Sequence, residues 1–409
     1  MTNSIAHSRT QVEGVTAGPS VVRTLAPIMV VVLVAYLIIG LAMPVLPLYV
    51  HQRLGLSTFM VGLAAGVEFA AALVSRFWSG RYADTRGAKR AVVAGLLLGA
   101  GAGFLYLVSL RLAHVPAAAI AVLLLGRVVL GGSERFVITG ALSWGLALGG
   151  ATNTGRVISW VGMALWAAYA AGAPVGTALY GQFGFLGIAL ATMLLPLVTL
   201  LLVAPLRPLA PTAAASPPFT RVIRAVWVPG VGVAFTAVGF GAITTFGALL
   251  FAERGWGAAW LALTALSVAF ILGRVVAGHL PDRLGGAPVA LVCVLIEAAG
   301  MAMIWLAPSA AVMFAGAAVT GAGYSLVYPG FGLEAVRRAP PEARGLAMGA
   351  FTAFLDLALG IASPALGLVA DRAGLRSVFL VSTLVVLGGA VVAMRLLRAP
   401  RARVSLSGR

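Results

Sequence analysis

Gly80-Arg-Tyr-Ala-Asp84-Thr-Arg-Gly87 ends one long apolar run of the chain and precedes the next, and it has the form G-x-x-x-D-x-x-G. The same form recurs just under half of the 409-residue chain later, as Gly278-His-Leu-Pro-Asp282-Arg-Leu-Gly285. The second copy also lies between two long apolar runs. Recurrence at half the chain length in so apolar a sequence indicates two duplicated helical bundles.

The composition is that of a chain solvated by lipid. Hydrophobic residues make up 61% of the chain, charged residues make up 10%, and the mean hydropathy is +1.04. A soluble chain with so few charges would aggregate, whereas about 20 consecutive apolar residues form a helix that crosses a bilayer. We therefore predict an all-α membrane protein with twelve transmembrane helices in two pseudo-symmetric six-helix bundles. The predicted spans are 25–50, 57–79, 91–111, 117–141, 156–180, 185–206, 225–251, 258–280, 287–307, 310–333, 346–370 and 377–398.

A proline-rich stretch separates the first six predicted spans from the last six. Residues 207–224 contain four prolines among Ala, Ser and Thr, a composition typical of a linker. The apolar run after residue 24 is too long for the core of a signal peptide, so we interpret it as the first transmembrane helix. The predicted organisation is a cytoplasmic tail at 1–24, a bundle at 25–206, a cytoplasmic linker at 207–224, a bundle at 225–398 and a basic tail at 399–409.

The formal net charge of +17 is explained by membrane topology. A nucleic-acid surface needs one contiguous basic patch, and the sequence has none, so we expect no nucleic-acid partner. With twelve spans and a cytoplasmic N-terminus, 21 of the 28 basic residues fall on the cytoplasmic side or at its edge, which is the positive-inside pattern. This pattern predicts that both termini are cytoplasmic and that the lipid bilayer surrounds the chain. The exceptions are Arg127 and Arg135 within the fourth span, and the external Arg53, Arg111, Arg254, Arg372 and Arg376.

The first copy of the repeated pattern is followed by Ala88, Lys89 and Arg90. In this extended form it resembles the signature between helices 2 and 3 of the major facilitator superfamily. It departs from that signature at Thr85 and Ala88, where the family has basic residues. The stretch Arg127-Val-Val-Leu-Gly131-Gly132 resembles the family's second signature, an intramembrane arginine followed by glycines.

Three further stretches are similar to the YhhS/YfcJ type of bacterial transporters within that superfamily. They are Gly155-Arg-Val-Ile-Ser-Trp160, Gly172-Ala-Pro-Val-Gly176 and Gly321-Ala-Gly-Tyr-Ser-Leu-Val-Tyr-Pro329. The resemblance covers about residues 25–398 and implies the family's twelve-helix fold, alternating access and a place in the bacterial cytoplasmic (inner) membrane. It also implies export of small molecules such as sugars or drug-like compounds, although Pro174 and Gly176 match the antiporter signature of helix 5 only in part.

The resemblance further implies a gating contact at the first copy that favours the outward-facing state. Asp84 can accept hydrogen bonds from free N–H groups at a neighbouring helix start, or pair with Arg86 or Arg90. The alternative is a helix-ending turn with a solvated basic loop. A third copy of the bare spacing, Gly367-Leu-Val-Ala-Asp371-Arg-Ala-Gly374, lies on the predicted external side, so the spacing alone is a weak signal. The predicted gating residues are Gly80, Asp84, Arg86, Lys89, Arg90, Gly278, Asp282 and Arg283.

Charged residues within the spans are the candidates for proton coupling, because an unpaired charge there is costly and needs a reason. Glu134 is the first candidate, since a carboxylate that alternates between a buried site and a site beside an arginine loads and releases a proton. The alternative is a fixed ion pair with Arg135 or with another helix. Arg127 lies about 10 Å from Glu134 along nearly the same helix face, and we expect the two to bracket a cavity. The other acidic candidates are Glu68, Glu297 and Asp356, for which the alternative is a structural role.

Aromatic residues of the spans can line a central cavity and stack against a sugar or an aromatic substrate. The alternative is a place in the core or in the aromatic belt at the membrane surface. The candidates are Tyr36, Trp160, Trp166, Tyr169, Phe240, Phe246, Tyr324 and Tyr328.

The sequence shows no constellation typical of an enzyme. The four histidines are scattered, which argues against a metal site or a Ser-His site, and the single cysteine, Cys293, has no partner for a disulfide within the chain. A nucleotide-binding G-x-x-x-x-G-K-[ST] motif is also absent, so we expect no cofactor and a proton gradient as the energy source.

We therefore predict a monomeric secondary active transporter that exports a small organic solute in exchange for protons. One alternative is a proton-coupled uptake symporter or a facilitative uniporter. An alternative from another class is a membrane sensor or scaffold that does not transport.

Overall fold

The computed structural model describes residues 21–149, 154–208, 219–340 and 343–398. The predicted tail at 399–409, nearly all of the tail at 1–24 and most of the linker at 207–224 lie outside these residues.

The described ranges contain twelve long helices, each apolar enough to span a membrane. They confirm the twelve predicted spans and the all-α class, since the described ranges contain no β-strand. A short helix (Leu46–Leu48) and a π-helical turn (Tyr49–Arg53) follow the first long helix, and another short helix (Leu280–Leu284) follows the eighth. The long helices are α1 (Val21–Ala42), α2 (Thr58–Arg86), α3 (Ala88–Arg111), α4 (Pro116–Gly149), α5 (Thr154–Phe183), α6 (Phe185–Val203), α7 (Phe219–Glu253), α8 (Trp260–Ala277), α9 (Gly286–Leu306), α10 (Ala310–Arg338), α11 (Arg344–Ala373) and α12 (Leu375–Arg398).

Several helices run past the ends that hydropathy predicts. Helix α2 continues to Arg86 and α4 to Gly149, and α7 begins at Phe219, within the predicted linker. Charged side chains can continue a helix into the solvated region beyond the apolar stretch, where hydropathy no longer marks it. The spans were therefore predicted correctly, while their solvated ends were predicted too short.

The three copies of the repeated pattern end in the same backbone break. The final glycines, Gly87, Gly285 and Gly374, have φ values of +93°, +97° and +83°. Only glycine adopts this region without strain, so each of these residues ends one helix and lets the next begin at once. The repeated spacing is thus a helix-ending element of the fold.

The helices pack as two bundles with the same internal arrangement. In the first bundle α3 and α2 pack on α4, α1 on α5, and α3 on α6. In the second bundle α9 and α8 pack on α10, α7 on α11, and α9 on α12, which is the same set shifted by six helices. The bundles meet along two main seams, α2 against α11 and α5 against α8, and these seams are exchanged by the same pseudo-symmetry.

The two ends of the molecule differ. We call the end at which α1 begins and α12 ends the terminal end, and the opposite end the far end. At the far end α2 and α11 touch: a Cβ atom on Gly66 would lie only 2.7 Å from the carbonyl oxygen of Gly360. On the other seam, the hydroxyl of Thr264 on α8 donates to the carbonyl of Ala170 on α5 at 3.1 Å. The bundles are therefore closed against each other toward the far end.

Candidate functional site

A cavity of about 550 Å³ lies between the two bundles, and residues from both bundles line it. It reaches from aromatic side chains at the middle of the helices to Leu142, Ile158 and Gly345, which lie near the terminal end. Because the seams are closed toward the far end and the lining reaches the terminal end, we infer that the cavity opens at the terminal end. This is the geometry of one half of an alternating-access cycle.

An ion-pair network crosses from one bundle to the other in the cavity wall. Asp356 on α11 is fully buried and accepts from Arg76 on α2 at 2.5 Å and from Arg135 on α4 at 3.1 Å. Arg76 also donates to the carbonyl oxygen of Gly349 on α11 at 3.0 Å. The carboxylate of the second bundle is thus held by two guanidinium groups of the first.

Glu134 extends the same network within the first bundle. It accepts from Nη2 of Arg135 at 2.9 Å and from the hydroxyl of Tyr36 on α1 at 3.1 Å. The same Arg135 nitrogen faces Asp356, so one guanidinium group bridges a carboxylate from each bundle. The predicted alternative of a Glu134–Arg135 ion pair is therefore present, and it is part of a network that reaches the other bundle.

Aromatic rings from both bundles form the middle of the cavity. Trp166 on α5 stacks on Phe270 of α8 with ring centroids 3.8 Å apart, across the α5–α8 seam. The rings of Phe240 and Tyr324 are nearly parallel with centroids 5.9 Å apart, and Tyr169 packs on Phe240. The lining includes Tyr36, Trp166, Tyr169, Phe240, Tyr324 and Tyr328 of the predicted aromatics, whereas Trp160 and the fully buried Phe246 are not part of it.

Arg127 and Glu68 lie away from the cavity, contrary to the expectation that Arg127 and Glu134 bracket it. Arg127 is 4% exposed and forms an ion pair with Glu68 on α2. Its other donors reach the carbonyl of Ala64 and the hydroxyl of Tyr106. The pair satisfies two buried charges inside the first bundle, because α2 and α4 pack directly on each other there.

Glu297 on α9 also lies outside the cavity lining. It is fully buried, and neither carboxyl oxygen has a hydrogen-bond partner among the described residues. Its Oε1 atom faces Gly239 of α7, and its backbone packs on Gly323 of α10. Glu297 is therefore enclosed in the second bundle, and the expectation that it belongs to the cavity is wrong for this conformation.

The predicted gating residues of the first copy form no ion pair with one another in the part of the chain that the structure describes. Asp84 is exposed and forms no ion pair or side-chain hydrogen bond in the described part of the chain. Lys89 donates to the carbonyls of Ala204 and Leu206 after α6, both at 2.7 Å. Arg86 and Arg90 are exposed, and a Cβ atom on Gly80 would meet open space, so Gly80 allows no close helix contact here.

The charged residues of the second copy are likewise exposed and unpaired within the described residues. Asp282 and Arg283 are exposed on the short helix Leu280–Leu284 and form no ion pair with any described residue. Gly278 is the residue that ends α8. Neither copy joins the two bundles through an ion pair among the described residues.

The third copy of the spacing forms a contact between the bundles. Asp371 at the end of α11 accepts from the backbone N–H of Thr58 at 2.8 Å and from its hydroxyl at 2.5 Å. Its second oxygen accepts from the N–H of Phe59 at 3.1 Å. A carboxylate that accepts from the first N–H groups of a helix also interacts favourably with the positive end of the helix dipole. Asp371 of the second bundle therefore caps α2 of the first at the closed far end.

Several residues of the cavity were not selected from the sequence, and three of them carry a charge or a stacked ring. Arg76, Phe270 and Arg274 all line the cavity. Arg76 and Arg274 fall within the predicted spans 57–79 and 258–280, but were counted with the basic residues at the cytoplasmic edge. Treating every arginine inside a span as a charge that needs a partner would have selected both.

Comparisons with known proteins agree with this architecture. The family model described as Major Facilitator Superfamily matches residues 28–285 and 255–408. An uncharacterized MFS-type transporter of Salmonella typhimurium is 45% identical over 363 residues, which cover 89% of this chain and 94% of that protein. Another, of Pseudomonas aeruginosa, is 40% identical over 368 residues, which cover 90% of this chain and 92% of that protein.

Solved structures show the same fold at low sequence identity. The nucleoside transporter NupG matches with a TM-score of 0.71 and 14% identity over 92% of this chain and 99% of that one. A bacterial homolog of the human lysosomal transporter Spinster, in an inward-facing and unoccupied conformation, matches with a TM-score of 0.72 and 14% identity over 93% and 98%. The narrower similarity to the YhhS/YfcJ type stays a prediction. The family match and the relatives that span nearly the whole chain establish that this protein belongs to the major facilitator superfamily and is a multi-pass secondary transporter of the membrane.

Proposed function

We propose that the protein exports a small organic solute in exchange for protons, by alternating access between the two bundles. The observation that supports this most directly is the bridge in the cavity wall, where Arg135 joins Glu134 of the first bundle to Asp356 of the second. Two carboxylates that share one guanidinium group can respond to a proton, and a proton on either one alters the contact between the bundles.

The proton acts on the seam between α2 and α11. In the charged form Asp356 holds Arg76 and Arg135, and with them α2 and α4. A proton on Asp356 removes the charge that these guanidinium groups neutralise, so the conformation with this network intact loses part of its stabilisation. Breaking a buried ion pair costs about 3–5 kcal/mol, which is enough to change the populations of two conformations strongly.

The positive-inside pattern supports a cytoplasmic location for the terminal end. At this end Arg86 is the last residue of α2, Lys89 and Arg90 lie in the first turn of α3, and Arg337 and Arg338 end α10. In that orientation the cavity opens to the cytoplasm and the far end is closed to the outside, as in an inward-facing state of a protein in the bacterial cytoplasmic membrane.

The export direction rests on the resemblance to exporters of the family, and helix 5 matches the antiporter signature only in part, at Pro174 and Gly176. Gly172 and Gly176 of α5 lie against the backbone of Gly40 and Leu41 of α1, so this part of α5 is packed too closely for larger side chains. The alternatives remain proton-coupled uptake and facilitated diffusion, which use the same cavity.

Transport in reconstituted vesicles tests the proposal. The purified protein is placed in proteoliposomes, and currents or internal pH are recorded while a panel of sugars and drug-like compounds is applied with and without a pH gradient. We expect solute-dependent proton movement that Glu134→Gln and Asp356→Asn abolish and that the exposed Glu253→Gln leaves unchanged. Solute flux without proton movement would indicate a uniporter, and accumulation in the same direction as the proton would indicate a symporter.

A further inference from the structure

We propose that the cavity selects organic anions with an aromatic body, and that Arg274 on α8 binds the anionic group. This inference rests on the proposed transport function and names the class of its solute. It follows from the charges of the cavity wall and from the position of the aromatic rings relative to Arg274.

Arg274 is the one cation of the described cavity wall without a carboxylate partner. Nη1 donates to the carbonyl oxygen of Ser325 on α10 at 3.1 Å, and this is its only hydrogen bond within the described part of the chain. A guanidinium group has five N–H donors, so most of those of Arg274 are free to bind a ligand. Arginine presents these donors in a planar fork that matches carboxylates, sulfonates and phosphates.

The remaining charges of the described cavity wall neutralise each other. Arg76 and Arg135 are paired with Asp356, and Arg135 is also paired with Glu134. Arg274 therefore leaves the cavity with one net positive charge. An unpaired cation inside a membrane protein is costly, and an anionic solute supplies the missing counter-charge. A cationic solute finds no free counter-charge in this wall, because both carboxylates are already paired with arginines.

The aromatic rings are placed to receive the rest of the molecule. Phe270 lies one helical turn before Arg274 on α8, so the two side chains share a face about 6 Å apart along the helix axis. Phe270 stacks on Trp166, and this pair lies deeper in the cavity than Arg274, which is near the terminal end of α8. A solute with a charged group and an aromatic ring a few bonds apart can contact both at once.

Further polar groups of the same wall suit an oxygen-rich head group. The hydroxyls of Tyr328 on α10 and Thr352 on α11 lie 2.8 Å apart, and both residues line the cavity with Arg274. Thr352 donates its proton to the carbonyl oxygen of Met348 at 2.8 Å, so Tyr328 is the donor between the two hydroxyls. The Tyr328 hydroxyl is therefore the one that can turn to donate to an anion bound by the guanidinium group.

Equilibrium binding to the full-length protein in detergent, without a proton gradient, tests this inference separately from transport. The probes are naphthaleneacetate, naphthaleneacetamide and naphthylethylammonium, which share one ring system and differ in charge. Binding is followed by calorimetry and by the shift in melting temperature. We expect the anion to bind more tightly than the amide, and the cation to bind most weakly. Arg274→Gln should weaken anion binding roughly 10- to 100-fold, because a hydrogen bond to a charged group contributes that much.

Two controls separate a binding role of Arg274 from a structural one. Arg274→Lys keeps the charge and should retain part of the preference for the anion, while Arg111→Gln removes an exposed charge outside the cavity and should change nothing. Equal or tighter binding of the cation, an anion preference that survives Arg274→Gln, or no binding of the anion at millimolar concentration would each overturn the inference. Loss of proton coupling with intact anion preference would instead contradict the proposed function alone.

Discussion

Two intramembrane arginines on the same helix have different roles, and their partners explain the difference. Arg127 is paired with Glu68 inside the first bundle, while Arg135 reaches Asp356 of the other bundle across the cavity. A pair within one bundle can stay intact while the bundles move against each other. A pair between bundles must change, so only the second is suited to coupling.

For Arg127→Gln we predict a loss of stability, because the change leaves Glu68 buried without its ion partner. The expected cost is about 3–5 kcal/mol, measured as a lower melting temperature in detergent. The double variant Glu68→Gln/Arg127→Gln should recover part of this loss and keep the pH dependence of transport. A double variant that is stable and folded but has lost pH dependence would place the coupling at Glu68 and Arg127.

For Glu134→Gln we predict a flatter pH profile of transport. The glutamine oxygen can still accept hydrogen bonds, but the side chain can no longer take up or release a proton. The measurement is the initial rate of solute flux across a pH series, with the exposed Glu253→Gln as the matched control. An unchanged profile in Glu134→Gln would leave Asp356 as the coupling carboxylate.

At the scale of single elements, the α2–α11 seam is the contact that has to open. It is held at the far end by Asp371 on the first turn of α2 and by the close approach at Gly66. Both contacts join the two bundles, so weakening them should favour the conformation that is open at the far end.

Asp371→Asn tests the cap. Loss of a charged cap at a helix N-terminus costs about 0.5–2 kcal/mol, and we expect the closed far end to lose that amount of stabilisation. With Cys293 replaced, spin labels at Arg111→Cys and Glu253→Cys report the distance between the bundles at the far end. We expect a larger population of long distances in Asp371→Asn, and an unchanged distribution would show that the cap does not hold this end.

Gly66→Ala tests the close approach. The added methyl group would lie against the Gly360 carbonyl, and overpacking of this kind costs about 1–3 kcal/mol. Gly101→Ala on α3 is the matched control, since a Cβ atom there meets nothing within 4 Å. A lower melting temperature in Gly66→Ala alone is the expected result, and equal behaviour of the two variants would contradict the account of the seam.

Hydropathy and glycine spacing predicted the helices because every span must bury its backbone polar groups in a helix of sufficient length. They did not predict the facing of side chains. Arg127 and Arg135 lie on one helix that is apolar on most sides, so periodicity could not show that one faces α2 and the other the cavity. Asp371 and Thr58 are 313 positions apart in the chain, so no local sequence pattern could predict their contact.

At the scale of the whole molecule, the two antiparallel helices α2 and α11 each end in a G-x-x-x-D-x-x-G element, at opposite ends of the protein. Asp371 is engaged with the start of α2 at the closed far end, while Asp84 at the open terminal end is exposed. By the pseudo-symmetry that relates the two bundles, we expect Asp84 to meet the start of α11 once the terminal end closes. This gating contact stays a prediction.

Asp84→Asn should therefore act in the direction opposite to Asp371→Asn. We expect slower transport, a larger population of the conformation with the far end closed, and nearly unchanged equilibrium binding of solute in detergent. The same pair of spin labels measures the populations. Transport at the normal rate in Asp84→Asn would exclude a gating role for this residue.

The central claim is that protonation of the Glu134–Arg135–Asp356 bridge shifts the two bundles between conformations. The most direct test is the far-end distance between Arg111→Cys and Glu253→Cys in lipid, measured while the pH is lowered from mildly alkaline to mildly acidic. Protonation removes the charge that holds Asp356 to Arg76 and Arg135, so the account predicts that long distances become more populated at lower pH. It also predicts that Glu134→Gln/Asp356→Asn populates them at every pH. A far-end distance that does not respond to pH, or a response that persists unchanged in the double variant, would contradict it.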